Sequence, residues 1–263
     1  MCGLLGIILK NKNFYNKESF LKSLDSINHR GPDFQNYVEY EKNNYKIFFG
    51  HARLSILDTS SLGNQPMYSH SKRYLIIFNG EIYNHIKIRK IIESKVAIKW
   101  KSYSDTETLI NFIEHFNIDY VLKNLSGMFS FLIYDFKEEK LFFSRDIAGE
   151  KPLYLSFDEN YIIISSDLKP LKHLKFFNNE IDQLAVKNYL KLNYIPSPQT
   201  IYQNSFKLSS STLIDIDLKK FSFKKIRKFE QLKTENSIKV KKWWDLKKVE
   251  KNKNFKFQDD NVL

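Results

Sequence analysis

An α+β domain built on packed antiparallel sheets is predicted by three features of this 263-residue chain. Short apolar runs of strand length follow one another through about the first 165 residues. Only a few segments carry a helical period. Hydrophobic residues make up 42% and aromatics 15%, enough for one large or two small cores.

In chain order, LLGIIL (4–9) is a continuous apolar run bounded by polar residues, as expected of a buried strand. NKESFLKSLDSINHR (16–30) places Phe20, Leu21, Leu24 and Ile27 on a helical stripe that stops at Gly31-Pro32. YKIFFGHARLSILD, RYLIIFNGEIYN, MFSFLIYDF, KLFFSRD, LYLSF and YIIISS are β-rich runs. Between them, SDTETLINFIEHF (104–116) opens on Ser-Asp-Thr-Glu, a helix cap and first turn, and continues with a 3.6-residue period. IDQLAVKNYLKLNY (181–194) reads as a further helix. All eight glycines lie between Gly3 and Gly149, so no glycine-rich phosphate loop can occur in the remainder. We therefore expect one domain over 2–215 and a basic connector over 216–263.

Composition narrows the function classes. No apolar run approaches the roughly 20 residues that cross a bilayer. The start MCGLLGIILKNK puts its apolar stretch ahead of the lysines, the reverse of a secretory signal, so a cytoplasmic protein is expected. The single cysteine excludes an internal disulfide. The formal charge of +12 is uneven: residues 219–256 hold fifteen Lys/Arg and four acids. With no aromatic-basic recognition motif beside it, this excess reads as a solvated tail, and no nucleic-acid partner is expected.

The lone cysteine sits at position 2, where removal of Met1 would put a free amine and a thiol on one residue. An α-amine titrates at roughly 7.7–8.0 and a thiol near 8.5. The amine can therefore take the thiol proton without a separate histidine, and the thiolate can attack a carboxamide. A tetrahedral intermediate then needs fixed donors where negative charge develops. Asn79-Gly80 offers a side-chain amide and an unobstructed backbone N–H; the same dipeptide is also the favoured type I′ hairpin pair. A free amino acid would further need a cation for its carboxylate and an anion for its ammonium, for which Arg53, Glu81 and Asp105 are candidates.

MCGLLGI, HRGPD (29–33), HARLSILD (51–58), GNQPM (63–67), FNGEIYNH (78–85), SDTETLI (104–110), LSGMFSFLIYD (125–135) and SRDIAGEKPLY (144–154) occur in family order. Together they resemble the glutaminase half of glutamine-dependent asparagine synthetases, class II glutamine amidotransferases of the N-terminal-nucleophile hydrolase fold. The likeness continues through YIPSPQTIY (194–202) to KKWWDL (241–246). Glucosamine-6-phosphate synthases and amidophosphoribosyltransferases are similar around the cysteine but differ at RGPD, ARLSILD and NGEIYN.

The resemblance implies a four-layer αββα sandwich with Cys2 at the end of the first strand. It implies that Arg53, with backbone near Ile56, grips the glutamine carboxylate, and that Asn79 and Gly80 form the oxyanion hole. Glu81 and Asp105 would hold the substrate amino group, and Arg30, Gly31, Pro32 and Asp33 would form a nearby loop. Glutamine hydrolysis of this kind needs no cofactor; ATP and Mg²⁺ enter only with a separate synthetase domain or subunit, the partner implied beside L-glutamine. A homodimer is also allowed. Three departures stand out. KLSSS (207–211) replaces an LPPG-like turn, Ser166-Asp167 replaces a Ser-Glu pair, and the Ser-Gly-Gly-x-Asp-Ser loop of a synthetase domain is missing. The alternative reading is therefore a catalytically idle remnant or a regulatory binding module of the same fold.

Overall fold

The computed structural model describes residues 1–10, 16–42 and 44–247. It contains two six-stranded sheets, and every strand pairing is antiparallel. The first sheet has β1 (Gly3–Leu9), β2 (Phe34–Glu41), β3 (Lys46–Arg53), β8 (Tyr154–Phe157), β9 (Tyr161–Ser165) and β10 (Ser205–Lys207), in the order β10-β8-β9-β1-β3-β2. The second has β4 (Met67–Tyr68), β5 (Tyr74–Ile82), β6 (Gly127–Asp135), β7 (Lys140–Arg145), β11 (Thr212–Asp217) and β12 (Ile238–Lys242), in the order β12-β11-β7-β6-β5-β4.

Side-chain alternation explains why the sheets stack. On β1, Leu4 and Ile8 face the second sheet and meet Leu75, Ile77, Leu132 and Phe143; Leu5, Ile7 and Leu9 face the other way. That outer face of the first sheet is covered by α1 (Lys17–Asp25) and a 3-10 turn at Lys169–His173. The outer face of the second sheet packs α2 (His85–Glu93), α3 (Asp105–His115) and α4 (Ile118–Asn124) through Ile88, Ile92, Ile110, Phe112 and Val121. The result is the four-layer αββα sandwich that the resemblance implied.

Local chemistry sets the helix starts. Asn16 caps α1 by accepting from Ser19 N–H at 2.9 Å, and Ser104 caps α3 by accepting from Thr106 N–H at 3.1 Å. Phe20, Leu24 and Ile27 are buried as their stripe predicts, but Leu21 is exposed. Helices α2 and α4 and edge strand β2 were not foreseen. The β-branched density of HIKIRKIIE obscures a helical period, and β2 alternates among largely exposed residues. At the KLSSS turn, Ser211 adopts φ +53°, the left-handed region that usually selects glycine, and its N–H donates to Asp146 O at 2.8 Å. The turn thus closes without proline or glycine.

Residues 216–247, expected as connector, share the main core. Residue 215 lies inside β11, and β12 pairs with it along Thr212↔Lys242 to Ile216↔Ile238. Phe221, Phe223, Ile226, Phe229, Leu232 and Ile238 join the inter-sheet cluster. Residues 248–263 of that stretch lie outside the described residues.

A chain stopped at residue 215 is expected to be insoluble or molten. Each lost apolar side chain is worth roughly 1.5–3 kcal/mol on burial, and six such losses exceed much of a typical 5–15 kcal/mol domain stability. A chain stopped at residue 247 should melt cooperatively; circular dichroism on both truncations makes the comparison.

Candidate active site

The alternation that builds the core also builds a cleft at one end of the sandwich. Cys2 shares its parity with Leu4 and Ile8, whose side chains point between the sheets. On β3, Ile47 and Phe49 point into the same space, so His51 and Arg53 do too. On β5, Leu75 and Ile77 face inward, and Asn79 and Glu81 continue that face. The register Gly3↔Ala52 sets Cys2 beside Arg53. Cys2, Arg53, Ile56, Asn79, Gly80, Glu81 and Asp105 all line one cleft of about 140 Å³.

Cys2 is held by the backbone of Leu54, whose N–H approaches Sγ at 3.4 Å and whose carbonyl lies 3.6 Å from it. Burial pushes the thiol up from its ordinary value, only partly offset by the Leu54 hydrogen bond and the nearby α-amine and Arg53. The α-amine of Met1, its neighbour in the chain, shifts the opposite way. Burial lowers it, with Arg30 and Lys151 adding to the effect and the Cys2 thiol and Asp33 opposing it.

Asn79-Gly80 is not a hairpin turn. Both residues lie within β5, paired with Ser130 and Phe129 of β6. Asn79 is fully buried, yet neither Nδ2 nor Oδ1 has a hydrogen-bond partner. An orphaned buried amide costs about 1–3 kcal/mol, which makes Asn79 a candidate for bonding a ligand atom. At Gly80 a Cβ would overlap the Met128 carbonyl, so only glycine permits this approach of the two strands.

Arg53 is 6% exposed and clamped from three directions. Its Nη1 donates to Ser60 O at 2.6 Å and to Asn64 Oδ1 at 2.7 Å, and Nη2 donates to the Asp58 carbonyl. A Cβ on Gly63 would collide with the same Nη2. The guanidinium is therefore fixed against the wall of the cleft, beside exposed Ile56. Asp105 opens α3, and its Oδ2 accepts from Ile82 N–H at 2.8 Å. Burial raises its carboxyl to about 6, with the Glu81 carboxylate adding to the shift and the Ile82 and Thr106 amides opposing it.

The 29–33 loop lies behind the cleft and does not line it. Arg30 Nε donates to the Cys2 carbonyl at 3.2 Å, and its Nη1 lies 3.9 Å from Asp167. The Asp in place of Glu at 167 thus still meets this arginine. Gly31 is buried against the Ala52 carbonyl, Pro32 is exposed, and Asp33 Oδ2 accepts from Ser55 N–H at 2.7 Å. The loop secures the backbone on both sides of the thiol.

Several supporting residues carried no assigned role in the sequence. His51, fully buried, bridges the sheets through Nε2 to Phe78 O at 2.9 Å; burial lowers its imidazole to about 4, so it stays neutral and donates this bond. Gln65 accepts from Phe78 N–H at 2.6 Å and donates to Thr106 Oγ1 at 3.2 Å, tying β5 to α3. Gly63, Asn64 and Gln65 stand within the GNQPM motif and His51 within HARLSILD, which was their only signal. Among the described residues no group of three His, Cys, Asp or Glu could hold a metal ion, and no helix is long and apolar enough to cross a membrane.

Residues 1–229 match a family described as a glutamine amidotransferase domain. The chain is 37% identical over 245 residues to a putative asparagine synthetase [glutamine-hydrolyzing] 2 of Methanocaldococcus jannaschii, covering 87% of this chain and 46% of that protein. It is 35% identical over 204 residues to asparagine synthetase [glutamine-hydrolyzing] 1 of Bacillus subtilis, covering 76% of this chain and 31% of that protein. The chain thus spans less than half the length of these curated relatives. In fold it is similar to the glutamine phosphoribosylpyrophosphate amidotransferase of B. subtilis, with TM-score 0.62 and 16% identity over 92% of this chain and 49% of that one.

The like charges at Asp105 and Glu81 give a direct check of the cleft's electrostatics. Glu81→Gln should move the Asp105 carboxyl below its value of about 6, because one repulsive neighbour is gone. Carboxyl carbon shifts followed by NMR against pH read this midpoint.

Proposed function

The chain belongs to the glutamine amidotransferase family, and from that premise we propose that it hydrolyses L-glutamine to glutamate and ammonia with Cys2 as the N-terminal nucleophile. One observation carries the proposal: the buried, unpartnered amide of Asn79 faces the same cleft as the Cys2 thiol. Met1 stands 54% exposed at the mouth of that cleft, accessible for removal. Once it is gone, the amine sits on Cys2 itself.

In the proposed reaction the amine takes the thiol proton, and sulfur attacks the side-chain carbonyl carbon of glutamine. Asn79 Nδ2 and the Gly80 N–H donate to the oxyanion that forms. The protonated amine then gives its proton to the departing nitrogen, releasing ammonia and leaving a thioester. Water attacks the thioester with the amine as base, freeing glutamate and the thiol. Water is the only co-reactant, so this half-reaction calls for no cofactor. Arg53 faces the α-carboxylate beside Ile56, while Glu81 and Asp105 take the α-ammonium. Arg30 and the loop through Asp33 position the nucleophile's backbone.

We assign the ammonia to a synthetase-type partner, as the names of the relatives suggest. Helix α5 (Gln183–Leu192) supports a partner: Ala185 is its one buried residue, while Leu184, Tyr189, Leu190 and Leu192 are exposed beside Ile181 and Tyr194. An apolar face of this kind marks an interaction surface. ATP and Mg²⁺ would serve that partner's chemistry. A cytoplasmic setting fits the free thiol, and neither assignment requires nucleic acid.

Cys2→Ala should abolish ammonia release from glutamine, and Asn79→Ala should lower kcat by about 10²–10³. Equal rates in Cys2→Ala and the parent chain would refute the nucleophile, and inactivity of a properly trimmed parent would favour the idle-remnant reading. Because the Asp105 carboxyl gains a proton as pH falls through about 6, KM for glutamine should rise below that pH. In Asp105→Asn, KM should be high and lack this rise in steady-state assays.

A further inference from the structure

Strand β5 runs past its short neighbour β4, which leaves an open backbone edge beside the cleft. In an antiparallel sheet the N–H and carbonyl groups of alternate residues point to opposite neighbours, so Phe78, Gly80 and Ile82 turn theirs the same way. Phe78 N–H donates to Gln65 Oε1 at 2.6 Å, and Ile82 N–H donates to Asp105 Oδ2 at 2.8 Å, so neither bond is made to β6. Phe129, directly across from Gly80, also bonds elsewhere. Its N–H donates to Asp146 Oδ2 at 3.2 Å and its carbonyl accepts from Asp146 N–H at 2.8 Å. The Gly80 N–H therefore opens on the cleft, between two amides that side chains hold.

Gln65 makes this arrangement possible. The pairing Met67↔Ile76, carried two residues further, would set Gln65 opposite Phe78, but Pro66 has no N–H and the strand begins only at Met67. The Gln65 side chain takes the place of the missing ladder. It is buried in the cleft wall, and its Nε2 donates to Thr106 Oγ1 at 3.2 Å, in the first turn of α3 next to Asp105. The Phe78 carbonyl is held in turn by His51 Nε2 at 2.9 Å. Any buried acceptor would satisfy the Phe78 N–H. A carboxamide also donates to Thr106 without adding a negative charge to the wall that holds Glu81 and Asp105. We propose that Gln65 is a positioning residue of the oxyanion hole: by fixing the Phe78 peptide against α3, it holds the Gly80 N–H and the Asn79 amide where the tetrahedral oxygen forms. This rests on the reading of Cys2 as nucleophile and of Asn79 and Gly80 as its oxyanion donors. Such donors act on the transition state, whereas Arg53 grips the substrate through bonds of its own, so the effect of Gln65 falls on kcat and not on KM.

The test compares the trimmed parent protein with Gln65→Met, which keeps the length without the hydrogen bonds, and Gln65→Glu, which keeps the acceptor for Phe78 N–H. Assays run at about pH 8, above the Asp105 midpoint of about 6, so that the added carboxylate does not protonate Asp105. In Gln65→Met, kcat for ammonia release should fall by roughly 10- to 100-fold while KM for glutamine stays within about threefold of the parent's. The aldehyde analogue of glutamine forms a tetrahedral adduct with the thiol, so its inhibition constant should weaken in step with kcat/KM. That of L-glutamate, which forms no adduct, should not move. Gln65→Glu should recover kcat to within roughly fivefold of the parent. A folded Gln65→Met protein with the parent's kcat, a rise in KM alone, or a Gln65→Glu no faster than Gln65→Met would overturn the proposal. Should Gln65→Met fail to melt cooperatively by circular dichroism, Gln65→Leu takes its place under the same criteria. Ammonia release that survives Cys2→Ala would sink the nucleophile reading and this proposal with it; parental rates in Gln65→Met, in a chain that needs Cys2, would sink this proposal alone.

Discussion

The spacing and alternation of two facing sheets govern everything else in this molecule. Because side chains on a strand alternate, the rule that buries Leu4, Ile8, Ile47, Phe49, Leu75 and Ile77 between the sheets also sends Cys2, His51, Arg53, Asn79 and Glu81 into the same gap. Towards one end of the strands the gap is no longer filled by apolar side chains, and a cleft remains. A slip of one residue in β1 or β5 would turn the thiol or the amide to the outer faces and abolish the site while leaving an apolar core to be built. The His51 bond to the Phe78 carbonyl ties the two sheets together at the peptide just before Asn79.

Burial then does opposite things to the groups it encloses. It raises the Cys2 thiol, lowers the α-amine of Met1 and lifts Asp105 to about 6. For the thiol alone this would mean inertness. The proposed reaction relies on removal of Met1, which would put an α-amine on Cys2 itself to take the thiol proton. Arg53 needs a different treatment, since a guanidinium cannot be neutralised. It is instead surrounded by carbonyls and the Asn64 amide oxygen, with Gly63 leaving the room.

The sequence made the proposed nucleophile legible through position alone, since one cysteine after the initiator is conspicuous wherever it folds. Arg53, Glu81 and Asp105 were visible as residue types and gained force from their motifs. Asn79-Gly80 was ambiguous because a dipeptide cannot reveal whether it turns a chain or continues a strand; pairing with Ser130 and Phe129 decides it. His51, Gly63 and Gln65 owe their importance to contacts across the fold, which no local pattern displays. The stretch after 215 was misleading for a physical reason. Its lysines cover the exposed side of β12, an edge strand that charge protects from further pairing, while Phe221, Phe223 and Phe229 turn inward.

The most direct measurement is covalent capture of the thiol by a glutamine analogue with an electrophilic carbon in place of the carboxamide. Peptide mass spectrometry should find one adduct, on Cys2 as the first residue of the chain, formed in competition with glutamine. Labelling that glutamine does not slow, or a thiol that stays unmodified behind a retained methionine, would contradict a terminal cysteine nucleophile in this cleft.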